Sequence, residues 1–171
     1  MKAHAVVFTG PNAVEYQEVD CPEPMPDQVV IRLIHSWISN GTEGSYLRGE
    51  RIDGDTAYRP GDDWPFPIVA GYQRIGEVVW IGGAITDLEV GETVFSVLGS
   101  VNGMFTPRGG QVSPSVTGRG SVWKLPGGVE PLAFAGMVLT QVGYNCGIRP
   151  QISPGEGAVV IGDGMVGQWA A

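Results

Sequence analysis

Near its C-terminal end the chain reads Ala158-Val159-Val160-Ile161-Gly162-Asp163-Gly164-Met165-Val166-Gly167-Gln168. An apolar, β-branched run flows into three glycines spaced G-x-G-x-x-G, an order that admits few local folds. The run reads as a strand and Gly162 as the tight turn that leaves it. Gly164 keeps the next peptide free of a Cβ, and Met165 onward reads as the start of a helix. Gly167 lets that helix pack close on the strand. The chain stops at Ala171, so the further strand–helix units of such an α/β fold are expected in a longer protein.

Upstream the texture is that of a β protein. Ala3–Phe8 and Val14–Val19 read as strands joined by a turn at Gly10-Pro11-Asn12. Pro22, Pro24 and Pro26 make an extended connector that cannot be helix. Val29–Ile38 is a long, nearly continuous apolar strand, and residues 50–67 form a polar, irregular loop. Strands follow at 75–82, 88–97, 109–113 and 121–125, with glycine turns between them, a spacing that predicts a small barrel. From Glu130 the pattern changes. Leu132, Phe134, Ala135, Val138, Leu139, Val142 and Cys146 fit a helical stripe, with Gly147 and Pro150 as stop signals. The fold class is therefore mainly β. A barrel spans residues 1–128, a connecting helix and linker 129–153, and the start of a truncated α/β domain 154–171.

The net charge is −8, and no Lys/Arg cluster exists. That excludes nucleic acid and anionic membrane surfaces as expected partners. The acidity serves solubility. Cys21 and Cys146, with His4 and His35, are the whole complement of those residue types. They make neither a disulfide framework nor a zinc finger. The N-terminus is too short and mixed for a signal h-region, and no apolar run approaches the roughly 20 residues of a membrane span. The expected location is the cytoplasm.

Five segments in order carry a resemblance. Ser39-Asn40-Gly41-Thr42-Glu43 resembles C-G-T-D. Pro67-Ile68-Val69-Ala70-Gly71-Tyr72-Gln73-Arg74-Ile75-Gly76-Glu77-Val78 resembles P-x-x-x-G-H-E-x-x-G-x-V. Val90-Gly91-Glu92-Thr93-Val94 resembles V-G-D-R-V, and Pro154-Gly155-Glu156 precedes the glycine fingerprint. Together they resemble the N-terminal half of the medium-chain dehydrogenases/reductases, the superfamily of zinc alcohol dehydrogenases and quinone reductases. Ile38–Glu43 is also similar to the I-S-x-G-T-E of the hydroxyethyl-bacteriochlorophyllide dehydrogenase branch. The resemblance implies a GroES-like barrel followed by a Rossmann domain, with hydride transfer in the cleft between them.

The departures bear on the chemistry. The zinc enzymes carry a cysteine at Asn40, a histidine at Tyr72 and a glutamate at Gln73. Zinc takes thiolate, imidazole or carboxylate ligands, and the third ligand slot falls near residues 136–138, where nothing ligates. The four-cysteine lobe is missing too, so neither a catalytic nor a structural zinc is expected. Glu130-Pro131-Leu132-Ala133 resembles the E-P-L-A of polyol dehydrogenases but lies too far upstream, and Glu130 reads as a helix-start carboxylate.

Without a metal, hydrogen-bond donors must meet the substrate oxygen. The resemblance brings Asn40, Thr42, Tyr72 and Gln73 to the cleft. Thr42 or Tyr72 is the expected catalytic donor, while Asn40 orients substrate or the nicotinamide ribose. Each has a plainer reading: Tyr72 fills the metal's void, Thr42 or Glu43 caps a short helix, Glu43 pairs with Arg48, and Gln73 ends a strand. His35 reads as a hydrogen-bonded structural residue. Trp64 either borders the substrate mouth or pins the long loop, and Thr140 lies on a helix within possible reach of the nicotinamide. Gly162, Gly164, Met165, Val166 and Gly167 are the expected cofactor-phosphate residues. The acidic residue that grips an adenosine ribose lies roughly 20 residues beyond such a fingerprint, so NAD and NADP are equally open.

Two readings follow. In the first, the chain is the N-terminal portion of a zinc-independent, NAD(P)-dependent oxidoreductase acting on a carbonyl/alcohol or enone/quinone. That enzyme takes a small-molecule substrate, is a homo-oligomer when complete, and is inactive as these 171 residues alone. In the second, the barrel is a non-catalytic binding or scaffold module. The intact glycine fingerprint separates them, since a scaffold has no need of it. A free-standing co-chaperonin barrel does not end in a connecting helix and a dinucleotide turn.

Overall fold

The computed structural model describes residues 1–171, which divide into two compact units, Met1–Ala135 and Gly136–Ala171. The first is built of thirteen strands. They are β1 (Lys2–Gly10), β2 (Ala13–Asp20), β3 (Gln28–Ser36), β4 (Arg51–Asp53), β5 (Thr56–Ala57), β6 (Ile68–Val69) and β7 (Gln73–Ile81). After these come β8 (Thr93–Val97), β9 (Gly99–Ser100), β10 (Arg108–Gly109), β11 (Val112–Ser113), β12 (Ser115–Gly118) and β13 (Val122–Lys124). One helix, α1 (Asn40–Leu47), lies between β3 and β4.

Two sheets make the barrel. One runs β11-β1-β2, with β6 also paired to β1; the other runs β10-β9-β12-β3-β7-β8-β13. Along β1 the alternation is plain: Ala3, Ala5 and Val7 are buried while Lys2 and His4 are exposed. The turn into β2 is closed by Asn12 at φ 56°, a left-handed position that Asn tolerates. β3 explains its own apolar run. Val30 joins a cluster with Ala3, Ala5, Val7 and Val112, while Val29 and Ile31 join a second with Val78, Val94 and Val122. Both faces of this central strand are therefore dry over Val29–Ile31, and each fully buried valine contributes about 1.5 kcal/mol or more. A third cluster, of Phe8, Phe66, Ile68 and Ala70, anchors the end of the long loop.

Three expectations are corrected here. The loop 50–67 is not wholly irregular: β4 and β5 form a small hairpin around Gly54, which sits at φ 51°. The stripe expected from Glu130 is two elements. A 3₁₀ turn spans Pro131–Phe134, with the Glu130 carboxylate accepting from the Leu132 amide at 3.3 Å, and helix α2 begins only at Met137. His35 is exposed and its imidazole takes no hydrogen bond, because it points off the solvent side of β3.

In the second unit α2 (Met137–Ile148) packs on α3 (Met165–Ala170). The seam is made by glycines one turn apart. A Cβ on Gly143 would lie 2.5 Å from Trp169 Cβ, and one on Gly147 would lie 2.6 Å from the Ala170 carbonyl oxygen. Gly147 is thus not a stop signal. It lies inside α2, and its missing side chain lets α3 approach. The run Ala158–Ile161 forms no ladder, and Val159 and Ile161 are 87% and 96% exposed. A strand exists only by pairing, and no segment of residues 1–171 pairs with it. No helix is long and apolar enough to cross a membrane.

Candidate active site

A cavity of about 420 Å³ opens on the barrel unit, and Thr42 and Tyr72 both border it. Phe8, Ile68, Val69 and Leu98 supply apolar wall, and the β4–β5 hairpin closes one side. Thr42 arrives on the first turn of α1. Tyr72 arrives from the three-residue link between β6 and β7, where Gly71 takes φ 77° and a Cβ would lie 2.6 Å from Gln111 Cγ. Only glycine fits there, and the turn it makes delivers Tyr72 to the cavity.

Glu43 ties these segments together. Its carboxylate accepts from the Ser39 amide at 2.8 Å and from Gln111 Nε2 at 2.8 Å, and it is 5% exposed. It thereby fixes the start of α1 to the segment beside Gly71. Burial pushes its carboxyl above the usual carboxylate range, and the two hydrogen bonds pull it partly back. Ser39 is the N-cap residue and offers no side-chain cap, so the back-reaching glutamate replaces it. The expected capping by Thr42 and the expected pairing of Glu43 with Arg48 are both corrected. Thr42 lies inside the helix, and Arg48 binds the Glu50 carboxylate at 2.6 Å because those two share the exposed edge of the loop.

Behind the cavity wall lies Arg74, fully buried and without a carboxylate partner. Its guanidinium donates to Ser96 Oγ (3.0 Å), Thr117 Oγ1 (2.7 Å) and the carbonyls of Gly110 (2.9 Å) and Gly109 (3.5 Å). Burial pushes its pKa down to about 10. It clamps β7 to the 109–110 segment, which the Gly110 amide also joins to the Ala70 and Gly71 carbonyls. An arginine inside a long strand was the one sequence signal for this clamp.

The remaining predicted residues are not gathered at the cavity. Asn40 is the exposed first residue of α1. Gln73 is fully buried at the start of β7, its carbonyl accepting from Trp37 at 3.4 Å. Trp64 stands edge-on to Tyr58 and tilts against buried Phe66 at a centroid distance of 5.4 Å. Trp64 therefore pins the long loop and does not border the cavity. Thr140 is half-buried on α2. Sequence reasoning missed Arg51 and Arg108, which do border the cavity.

In the second unit the glycine turn has the form a phosphate cradle needs. Gly162 takes φ 110°, Gly164 precedes α3, and a Cβ on Gly167 would collide with the Gly162 carbonyl oxygen. Gln168 Nε2 donates to the Asp163 carbonyl at 3.1 Å and steadies the turn. Met165 and Val166 open α3. The residues present fit a dinucleotide pyrophosphate. They do not fit zinc: the candidate ligand positions hold an amide, a phenol and an amide, and no three His, Cys, Asp or Glu side chains stand together to hold a metal.

No family model matches the chain. It is 34% identical over 79 residues to 2-desacetyl-2-hydroxyethyl bacteriochlorophyllide A dehydrogenase of Cereibacter sphaeroides, a stretch covering 46% of this chain and 23% of that protein. Among solved structures it superposes on an oxidoreductase/dehydrogenase of unknown specificity involved in membrane biogenesis from Escherichia coli. There the TM-score is 0.79 at 19% identity, over 99% of this chain and 53% of that one. It is also similar to a short chain alcohol dehydrogenase from Escherichia coli CFT073 complexed with NADH, with TM-score 0.77 at 19% identity, over 99% of this chain and 52% of that one. The chain spans about half the length of these solved structures, and its match covers less than a quarter of the Cereibacter sphaeroides enzyme.

Proposed function

We propose that the chain is a member of the medium-chain dehydrogenase/reductase superfamily, a reading supported by its similarity to a dehydrogenase of Cereibacter sphaeroides and by the shared fold, and that the complete protein is a zinc-independent, NAD(P)-dependent oxidoreductase. Its substrate in this reading is a small alcohol/carbonyl or enone/quinone. The observation that carries the reading is that Thr42 and Tyr72 both border one largely apolar cavity. A bound nicotinamide supplies the hydride donor or acceptor, held by its pyrophosphate at Gly162, Gly164 and Gly167 together with the Met165 and Val166 amides.

The chain's own residues supply the rest. Tyr72 or Thr42 donates a hydrogen bond to the oxygen on which charge develops, a role that gains strength from the cavity's low-dielectric wall. Glu43 and Arg74 hold those donors in register. Asn40, which does not border the cavity, would orient only the nicotinamide ribose or a part of the substrate that extends outside it. The complete protein is proposed to be a homo-oligomer.

The test uses the complete protein. NADH and NADPH titrations followed by nicotinamide fluorescence should give micromolar binding, and Tyr72→Phe should lower kcat by about tenfold or more. An unchanged kcat removes Tyr72 from the chemistry. No binding of either cofactor leaves the barrel as a non-catalytic binding module.

A further inference from the structure

We propose that Arg108 is a recognition residue for an oxyanion carried by the substrate, a carboxylate or a phosphate ester, bound in the cavity of Thr42 and Tyr72. The inference rests on reading that cavity as the substrate site. Two arginines border it. Arg51 is already engaged, donating to the Asp55 carboxylate at 2.7 Å and the Gly54 carbonyl at 2.9 Å. Arg108 has neither a hydrogen bond nor an ion pair, and it borders the cavity together with the apolar residues Val69 and Leu98. Of the cavity's carboxylates, Glu43 has both oxygens occupied and Asp55 is bound to Arg51. Asp53 is unpaired, but it stands beyond ion-pair distance of Arg108.

The position of Arg108 is built rather than incidental. Its strand β10 is registered on β9, with Arg108 opposite Ser100. The next two residues are pressed against the segment that carries Tyr72. A Cβ on Gly109 would strike Val69, and one on Gly110 would lie 2.5 Å from the Gly71 carbonyl carbon. Buried Arg74 holds both their carbonyls from behind. One arginine thus fixes the backbone next to the other, and Gly110 of that backbone lies against Tyr72. A guanidinium fork matches an oxyanion in two parallel hydrogen bonds. A substrate with its reacting oxygen at Tyr72 and its anion at Arg108 would be fixed at two points, which is what hydride transfer requires of orientation.

The test needs no cofactor. p-Hydroxymethylbenzoate, benzyl alcohol and phenyl phosphate are titrated into the chain and followed by two-dimensional NMR of the amides and of the Arg108 side-chain Nε–H. The expected result is about tenfold tighter binding of an anion than of the neutral alcohol, weakened by salt. That preference should be lost in Arg108→Ala, reduced in Arg108→Lys and enhanced in Asp53→Asn. Which anion binds better tells a carboxylate site from a phosphate site. Equal binding of charged and neutral probes, no anion binding at millimolar concentration, or a preference that survives in Arg108→Ala overturns the proposal. Failure of the oxidoreductase reading shows separately, as a complete protein that binds no nicotinamide.

Discussion

Replacing Arg74 by Met sets two opposing magnitudes against each other. The guanidinium is fully buried without a counter-charge, and the fall of its pKa from 12.5 to about 10 corresponds to about 3 kcal/mol held against the charged form. Methionine removes that penalty and nearly fills the volume. It also leaves Ser96 Oγ, Thr117 Oγ1 and the Gly110 carbonyl without their donor, three buried acceptors now bonded at 2.7–3.0 Å. Each orphaned acceptor costs about 2 kcal/mol, a total near 6 kcal/mol; the Gly109 contact at 3.5 Å adds little. The net expectation is a loss of about 3 kcal/mol, or about 10 °C in Tm for a chain of this size. Arg74→Lys should also destabilise, since an ammonium is a compact charge that cannot span from Ser96 to Gly110. Urea unfolding followed by tryptophan fluorescence measures both variants. An Arg74→Met chain as stable as the parent, or more so, refutes the reasoning. Desolvation would then outweigh the hydrogen bonds, as when some buried ion pairs are replaced by apolar residues.

Other expectations concern the two halves of the site. Gly167→Ala places a methyl against the Gly162 carbonyl oxygen, so NADH binding by the complete protein should fall at least tenfold while urea unfolding of the barrel is unchanged. Glu43→Gln tests the buried carboxylate. Its folded-state pKa is raised, so proton binding favours the folded chain. That contribution is fully present below the ordinary carboxylate value and is lost as pH rises through the raised one. The Tm advantage of the parent over Glu43→Gln should therefore shrink as pH rises above the ordinary carboxylate range; a flat or widening gap would show that Glu43 stays ionised throughout.

The sequence by itself determined the long barrel strands, the glycine turn and which residue types stand at the zinc positions. Alternation along Ala3–Phe8, the unbroken run of Val29–Ile31 and the spacing of Gly162, Gly164 and Gly167 are local patterns, and each reflects a constraint that acts within a few residues. Side-chain chemistry at Asn40, Tyr72 and Gln73 is likewise independent of folding. Only the tertiary structure decided who meets whom. Glu43 finds Gln111 across 68 residues, and Arg74 finds Thr117 across 43, pairings that no local periodicity encodes. The same holds where sequence reading went astray. Gly147 looked like a helix stop, because a glycine's local preference is visible and the approach of α3 is not. Ala158–Ile161 looked like a strand, because its residues favour one, yet a strand needs a neighbour to pair with. Arg108 drew no notice until the fold set it on the cavity that Tyr72 also borders, with no partner of its own.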